Sequence, residues 1–404
     1  MKTGYVVVGA SLAGAKAAET LRAEGFEGAI TLIGAEPERP YERPPLSKGY
    51  LMGKTAREKI YVHPAEWYAE QRVDLWLGAR ATAIDPVGHT VSLADGSRLG
   101  YAKLLLTTGS SPRRLTVPGA DGGQVLYLRT VQDCERIKAA IHPGARIVVI
   151  GAGWIGLETA AAAREAGAEV TVLEAAELPL LRVLGREAAE VFADLHRSHG
   201  VDLRFGVQVT EVTGDGVRLA DGALVPADAV VVGIGITPNT ELAEAAGLTV
   251  DNGIHTDQYL ATSAPDVYAA GDVANALHPL YGHPIRVEHW ANALHQPRTA
   301  ARSMLGQDAV HDRVPYFFTD QYDLGMEYTG YVRPGGFDRV VFRGNRASRE
   351  FIAFWLDGGR VLAGMNVNVW DVTDPIRELV RSGRQVDPDA LADPGVPLDR
   401  IGLD

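Results

Sequence analysis

The sequence predicts an α/β protein made of two doubly wound domains of the same design, followed by a small α+β C-terminal domain. Three observations predict it. The first is a repeated grammar: "YVVVGASLAGAKAAETLRAEGFEGAITLIGAE" from Tyr5 and "RIVVIGAGWIGLETAAAAREAGAEVTVLEAAE" from Arg146. Each reads as a β-branched run, a glycine turn, an alanine-rich helical stretch and a second β-branched run. The second is the matching sequel to each unit. Alternating stretches with DG turns, "HTVSLADGSRLGY" and "GDGVRLADGALVP", lead to the apolar strands of "KLLLTTGSSPR" and "AVVVGIGITPNT". The third is a change of texture near Pro315. Aromatic, glycine-spaced segments such as "PYFFTDQYDLGMEYTGYV" and "EFIAFWLDGGRVLAGMNVN" predict antiparallel strands, closed by a helix near "DPIRELVRSG".

The two βαβ units are Rossmann-like, so one chain is expected to hold two different dinucleotides. A length of 404 residues allows two or three domains, with boundaries expected at about 113, 247 and 317. The formal net charge of −12 argues against a nucleic-acid partner. The longest apolar runs are only of strand length, which excludes a membrane-crossing helix on sequence grounds. The start of the chain shows no signal-peptide pattern, and a cytoplasmic location is expected. Cys134 is the sole cysteine, so an internal disulfide, a CxxC pair and a cysteine-ligated metal cluster are all excluded.

In the first unit the turn runs from Gly9 through Ser11, Leu12 and Ala13 to Gly14, with serine where the middle glycine of GxGxxG is usual. The outer glycines serve the tight turn and close helix packing, and a small residue in the middle still lets backbone approach a pyrophosphate at the helix N-terminus. Glu36, two residues past the second strand, is the candidate for a ribose hydroxyl, against the plain reading of a solvated surface glutamate. The second unit matches in full: Gly151, Gly153, Trp154, Ile155 and Gly156 form the turn, and Glu174 closes the strand "VTVLE". A carboxylate there accepts from both ribose hydroxyls of NADH and repels the 2′-phosphate of NADPH; Arg182 is the basic residue positioned to relax that preference. A later strand ends "VYAAGDVA", placing Gly271 and Asp272 where a carboxylate is able to meet the ribityl chain of a flavin, although a lone Gly-Asp is most often a turn.

Taken together, these residues resemble the FAD-dependent pyridine-nucleotide oxidoreductases of glutathione-reductase-like fold. Within them the chain is similar to the NADH:ferredoxin reductases of bacterial oxygenase systems, the putidaredoxin reductase and biphenyl-dioxygenase ferredoxin reductase group. "VVGASLAG", "YERPPLSK", "TTGSSPR", "GAGWIGLE", "GIGITPNT", "AAGDVA", "VEHWANALHQ" and "YFFTDQYDL" occur in family order over nearly the whole chain. The resemblance implies an FAD domain in 1–112 and 247–317, an NAD domain in 113–246 and a C-terminal domain in 318–404. It implies that Arg43, Pro45, Lys48, Thr108, Gly109 and Arg113 contact FAD, that Gly235, Glu288 and His289 belong to the cofactor sites, and that Trp290 and Phe318 border the flavin ring. Tyr316 and Phe318 stand where tryptophans are common, and Ser11 replaces the usual glycine.

The resemblance further implies that Glu158, two residues beyond Gly156, faces the flavin site and holds Lys48 there as an electrostatic stabiliser of the negative charge that arrives with hydride. The plain reading of Lys48 is a solvent-exposed loop lysine. Disulfide reductases and NADH peroxidases of this fold carry redox cysteines in the corresponding loop, which here reads "PPLSKGY". Cys134 lies in "VQDCERIKAAI" and is expected to be a half-buried structural thiol. Electrons are therefore expected to leave the flavin directly for a separate iron–sulfur ferredoxin, from a chain that is a monomer or weak homodimer. An NADH oxidase, a rubredoxin- or monodehydroascorbate-type reductase, and an NADH-sensing interaction protein like apoptosis-inducing factor are the alternatives.

Overall fold

The computed structural model describes residues 4–402. The chain forms two compact units. The first gathers the chain up to Arg43 with Ala56–Ser111 and Ile236–Pro315; the second gathers Pro44–Thr55, Pro112–Gly235 and the chain from Tyr316. Two segments join the second unit across the order of the chain. The "PPLSKGYLMGKT" loop belongs to it, although it follows the first βαβ motif. The C-terminal segment shares that unit with the second βαβ motif.

Each unit is built on a five-stranded parallel sheet. In the first the order is Val267–Ala269, Lys103–Leu106, Tyr5–Val8, Ile30–Ile33, Val73–Trp76. In the second it is Val125–Tyr127, Ala229–Val232, Arg146–Ile150, Glu169–Glu174, Asp202–Phe205. The strands read as continuous apolar runs because both faces are covered: every residue of Ile30–Ile33 and Ala229–Val232 is buried. In both sheets the chain reverses its direction of winding beside the first βαβ strand. The carboxyl ends of the strands open there, which is where such folds take ligands.

The C-terminal sheet is antiparallel, in the order Tyr316–Gln321, Leu324–Gly330, Arg360–Val367, Glu350–Asp357, Arg339–Asn345. The helix Thr373–Ser382 buries Ile376, Leu379 and Val380. A Cβ at Gly364 would stand 2.6 Å from Ile376 Cγ2, so glycine sets how closely helix and sheet approach. The fully buried Trp355 donates its indole N–H to the Leu184 carbonyl at 3.0 Å, one of the bonds that unite this sheet with the rest of the second unit.

Burial keeps several histidines neutral, His196, His289 and His311 among them. Desolvation pushes His196 and His289 down to about 4 and His311 to about 3, from the ordinary 6.5. The unfolded chain takes protons on these rings below about 6.5, whereas the native state does not until pH 4 or lower, so native stability is lost as pH falls through that window. The denaturant midpoint should be flat above pH 7 and fall between pH 6.5 and 4. A midpoint independent of pH over that range would show that these rings protonate without penalty.

Candidate active site

The glycine turns follow from packing. Gly9 sits at φ +126°, and a Cβ there would lie 2.1 Å from the Thr107 carbonyl oxygen; one at Gly14 would lie 2.2 Å from the Gly9 carbonyl oxygen. In the second unit the same constraints fall on Gly151, against Gly233, and Gly156, against Gly151. Gly153 is different: its Cβ would meet nothing nearer than 4.0 Å. The middle position is thus left open by the protein itself, above the start of the helix Trp154–Glu165, which is the cradle a pyrophosphate requires. Ser11 holds the equivalent place as N-cap of the helix Leu12–Ala23, and its hydroxyl makes no capping bond there. Both turns fit dinucleotides.

The acidic residues separate in role. Glu174 accepts the backbone N–H groups of Ala152 at 2.7 Å and Ala176 at 2.8 Å, which ties the strand end to the glycine turn. Arg182 lies exposed on the short helix Leu181–Leu184, and among the described residues no ion pair joins it to Glu174. Trp154 packs edge-on against Phe192 and Phe317, while Ile155 is left exposed beside it. Arg113 is placed by its backbone, its N–H donating to the Gly235 carbonyl at 2.9 Å.

In the first unit Glu36 is paired: it accepts from Arg43 Nη2 at 2.7 Å and from the Tyr41 hydroxyl at 2.5 Å. Burial disfavours the Arg43 cation, but Tyr41, Glu36 and Asp272 outweigh it and hold its pKa above the ordinary value. Glu36, Arg43 and Asp272 therefore form one electrostatic group, although they come from three places in the sequence. Thr108 donates to the Asn239 carbonyl at 2.8 Å, and Asn239 returns its side-chain N–H to the Thr108 carbonyl at 2.8 Å. The Gly271 N–H donates to Gln296 Oε1 at 2.7 Å, and the Asn292 amide donates to the Val287 carbonyl at 3.0 Å. Glu288 pairs with Arg286. Trp290 opens the helix Trp290–Met304 and stands near Glu42, whose carboxyl is raised chiefly by burial, with Trp290 and Lys16 pulling it back. Asn239, Glu42, Asn292 and Gln296 went unread in the sequence; only their place inside quoted motifs marked them.

Lys48 and Glu158 meet in the second unit. Lys48 Nζ lies 2.7 Å from Glu158 Oε1, with side-chain exposures of 16% and 3%, so Lys48 is no surface lysine. Two hydroxyls complete the carboxylate: Thr319 donates to Oε1 at 2.5 Å and Ser47 to Oε2 at 2.5 Å. Phe318 lies 5.4 Å beneath the ammonium, within cation–π range. Pro45 accepts the backbone N–H of Lys48 at 3.1 Å and closes the turn that aims it. Cys134 is fully buried rather than half-buried, because its helix packs on this loop; its thiol donates to the Leu46 carbonyl at 3.1 Å, and burial pushes it up to about 12.

Residues 3–297 match the family model described as pyridine nucleotide-disulphide oxidoreductase, and 316–402 match reductase C-terminal. The chain belongs to the pyridine nucleotide-disulphide oxidoreductase family. Putidaredoxin reductase from Pseudomonas putida is 40% identical, with 98% of this chain and 96% of that protein covered. The 5,5'-dehydrodivanillate O-demethylase ferredoxin reductase subunit of Sphingobium sp. is also 40% identical, covering 98% and 97%. The crystal structure of the covalent putidaredoxin reductase–putidaredoxin complex superposes with a TM-score of 0.95 at 39% identity, covering 98% and 97%. Within its family the chain is a reductase of the putidaredoxin reductase type, an oxidoreductase that uses FAD and NAD(P)H.

Because Gly153 is held open by no packing need, it offers a selective lesion. Gly153→Leu should raise the KM for the nicotinamide nucleotide about tenfold or more while leaving FAD content unchanged. Unchanged KM in this pyridine-nucleotide oxidoreductase would place the pyrophosphate elsewhere.

Proposed function

We propose that the chain takes hydride from NADH onto FAD and passes single electrons to a separate iron–sulfur ferredoxin, which supplies an oxygenase or haem monooxygenase. Full-length similarity to relatives named as ferredoxin reductase components supports the partner class. The observation that carries the electron route is the Lys48 loop: where a redox sulfur would act, the chain presents Ser47 and Lys48, and its sole cysteine lies buried against Leu46. FAD, when bound, supplies the conversion of a two-electron donor into two one-electron deliveries.

The protein's own contribution is electrostatic. Lys48, held by Glu158, offers a fixed positive charge to the negative charge that develops on hydride arrival. Glu36, Arg43 and Asp272 hold the flavin nucleotide through ribose and ribityl hydroxyls. Glu174 selects NADH, since a carboxylate tied to the turn opposes a 2′-phosphate. Among the described residues no helix is long and apolar enough to cross a membrane, and the cytoplasm is the compartment we assign.

Two measurements test this reading. The kcat/KM for NADH should exceed that for NADPH by about tenfold or more; equal values would remove Glu174 from the selective role. Cytochrome c reduction should depend on added ferredoxin and survive Cys134→Ala within about twofold, with slow oxygen consumption throughout. Rapid ferredoxin-independent oxygen turnover would identify an oxidase instead.

A further inference from the structure

The carboxylate of Glu158 is the end point of a longer buried chain. Glu158, Thr319, Gln321 and His196 are 4%, 1%, 1% and 0% exposed. Thr319 Oγ1 donates to Glu158 Oε1 at 2.5 Å, Gln321 Nε2 donates to Thr319 Oγ1 at 3.2 Å, and Gln321 Oε1 lies 2.8 Å from His196 Nε2. A hydroxyl has one proton. With that proton committed to Glu158, Thr319 has only lone pairs to offer Gln321, so the amide must turn its N–H towards Thr319 and its oxygen towards His196. His196 must then carry its proton on Nε2, leaving Nδ1 towards the Tyr322 hydroxyl at 3.5 Å. Every donor in the chain points the same way, ending on the oxygen that holds Lys48.

The four residues come from three elements: Glu158 from the second turn of Trp154–Glu165, His196 from the last turn of Arg186–Ser198, and Thr319 and Gln321 from Tyr316–Gln321. Thr319 and Gln321 are two apart in a strand, so they share one face and their spacing fits consecutive links. A buried polar row of this kind is no cheaper for stability than an apolar one of equal volume, since each group must be desolvated. What it supplies is direction. A glutamate has three rotatable bonds, and a lone ammonium is satisfied by either oxygen from a range of angles. Thr319 on one oxygen and Ser47 on the other leave the carboxylate a single orientation.

We propose that Thr319, Gln321 and His196 form a positioning relay that fixes the orientation of Glu158 and, through it, of the Lys48 ammonium. The C-terminal strand thereby serves the hydride-transfer step as well as the fold. This inference rests on the reading of Lys48 given above, and its test separates the two.

The test uses the FAD-loaded enzyme, with the flavin midpoint potential and the stopped-flow rate of reduction by NADH as readouts. Thr319→Val keeps the shape and removes the donor; reduction should slow about tenfold and the potential should fall. Thr319→Ser restores the hydroxyl and should restore both. Gln321→Met leaves Thr319 in place but releases its orientation, and should slow reduction less than Thr319→Val; if Thr319→Val yields no FAD-loaded protein, this variant carries the test. Wild-type rate and potential in Thr319→Val, or in Gln321→Met where it stands alone, would overturn the relay. Slow reduction that Thr319→Ser fails to restore would also overturn it, by assigning the loss to packing. Lys48→Met separates the levels: if it slows reduction while Thr319→Val does not, the relay fails and the reading of Lys48 stands. If Lys48→Met changes neither readout, the reading beneath the relay fails.

Discussion

A carboxylate with 4% of its surface exposed needs charge and donors brought to it, and Glu158 is where much of the second unit converges. It stands two residues past the last glycine of the nucleotide turn, so its position is inherited from the tight packing of Gly156 against Gly151. Its partners are not local. Ser47 and Lys48 come from a loop that follows the other βαβ motif, and Thr319 comes from the C-terminal sheet. The carboxylate thus joins three stretches of chain into one compact unit. Removing any one donor leaves part of a buried charge unanswered.

The duplicated βαβ plan explains why one fold handles two dinucleotides. The two sheets share their strand order, except that the outermost strand comes late in the chain in the first unit and early in the second. Each presents a glycine turn at the same point of reversal. They diverge in their acids: Glu174 binds the backbone of its own turn, while Glu36 is neutralised by Arg43 and Tyr41. The first arrangement keeps a carboxylate tied to the glycine turn. The second spreads charge over a wider group that includes Asp272.

The sequence exposed whatever depends on local steric rules. Glycine turns, β-branched runs and DG hairpins are dictated by neighbours in the chain, and they marked both parallel sheets and the antiparallel tail. Gly9, Gly14, Gly151 and Gly156 proved to be positions where a Cβ would strike backbone within 2.5 Å. The pairing of Lys48 with Glu158 was reached through family resemblance, because nothing local links residues 110 positions apart. Ser47, Thr319, Gln321 and Asn239 went unread for a related reason: hydroxyl and amide side chains are common everywhere, and their partners lie 111, 161, 125 and 131 residues away. The helix around Cys134 is legible in its own sequence, but the depth of the thiol depends on a loop from elsewhere in the chain. The joining of the C-terminal sheet to the second unit was equally hidden, since it runs through the Trp355 indole and the Thr319 hydroxyl.

The central claim is that Lys48 and Glu158 act as one device, an aimed charge and its holder. A double-mutant cycle on the rate of flavin reduction by NADH measures that directly, using Lys48→Met, Glu158→Gln and the combined variant. The account predicts that each single change slows reduction and that the double variant is no slower than the slower single one, because the second loss removes a partner already idle. Losses that multiply in the double variant would show that the two residues work independently, and would contradict the account.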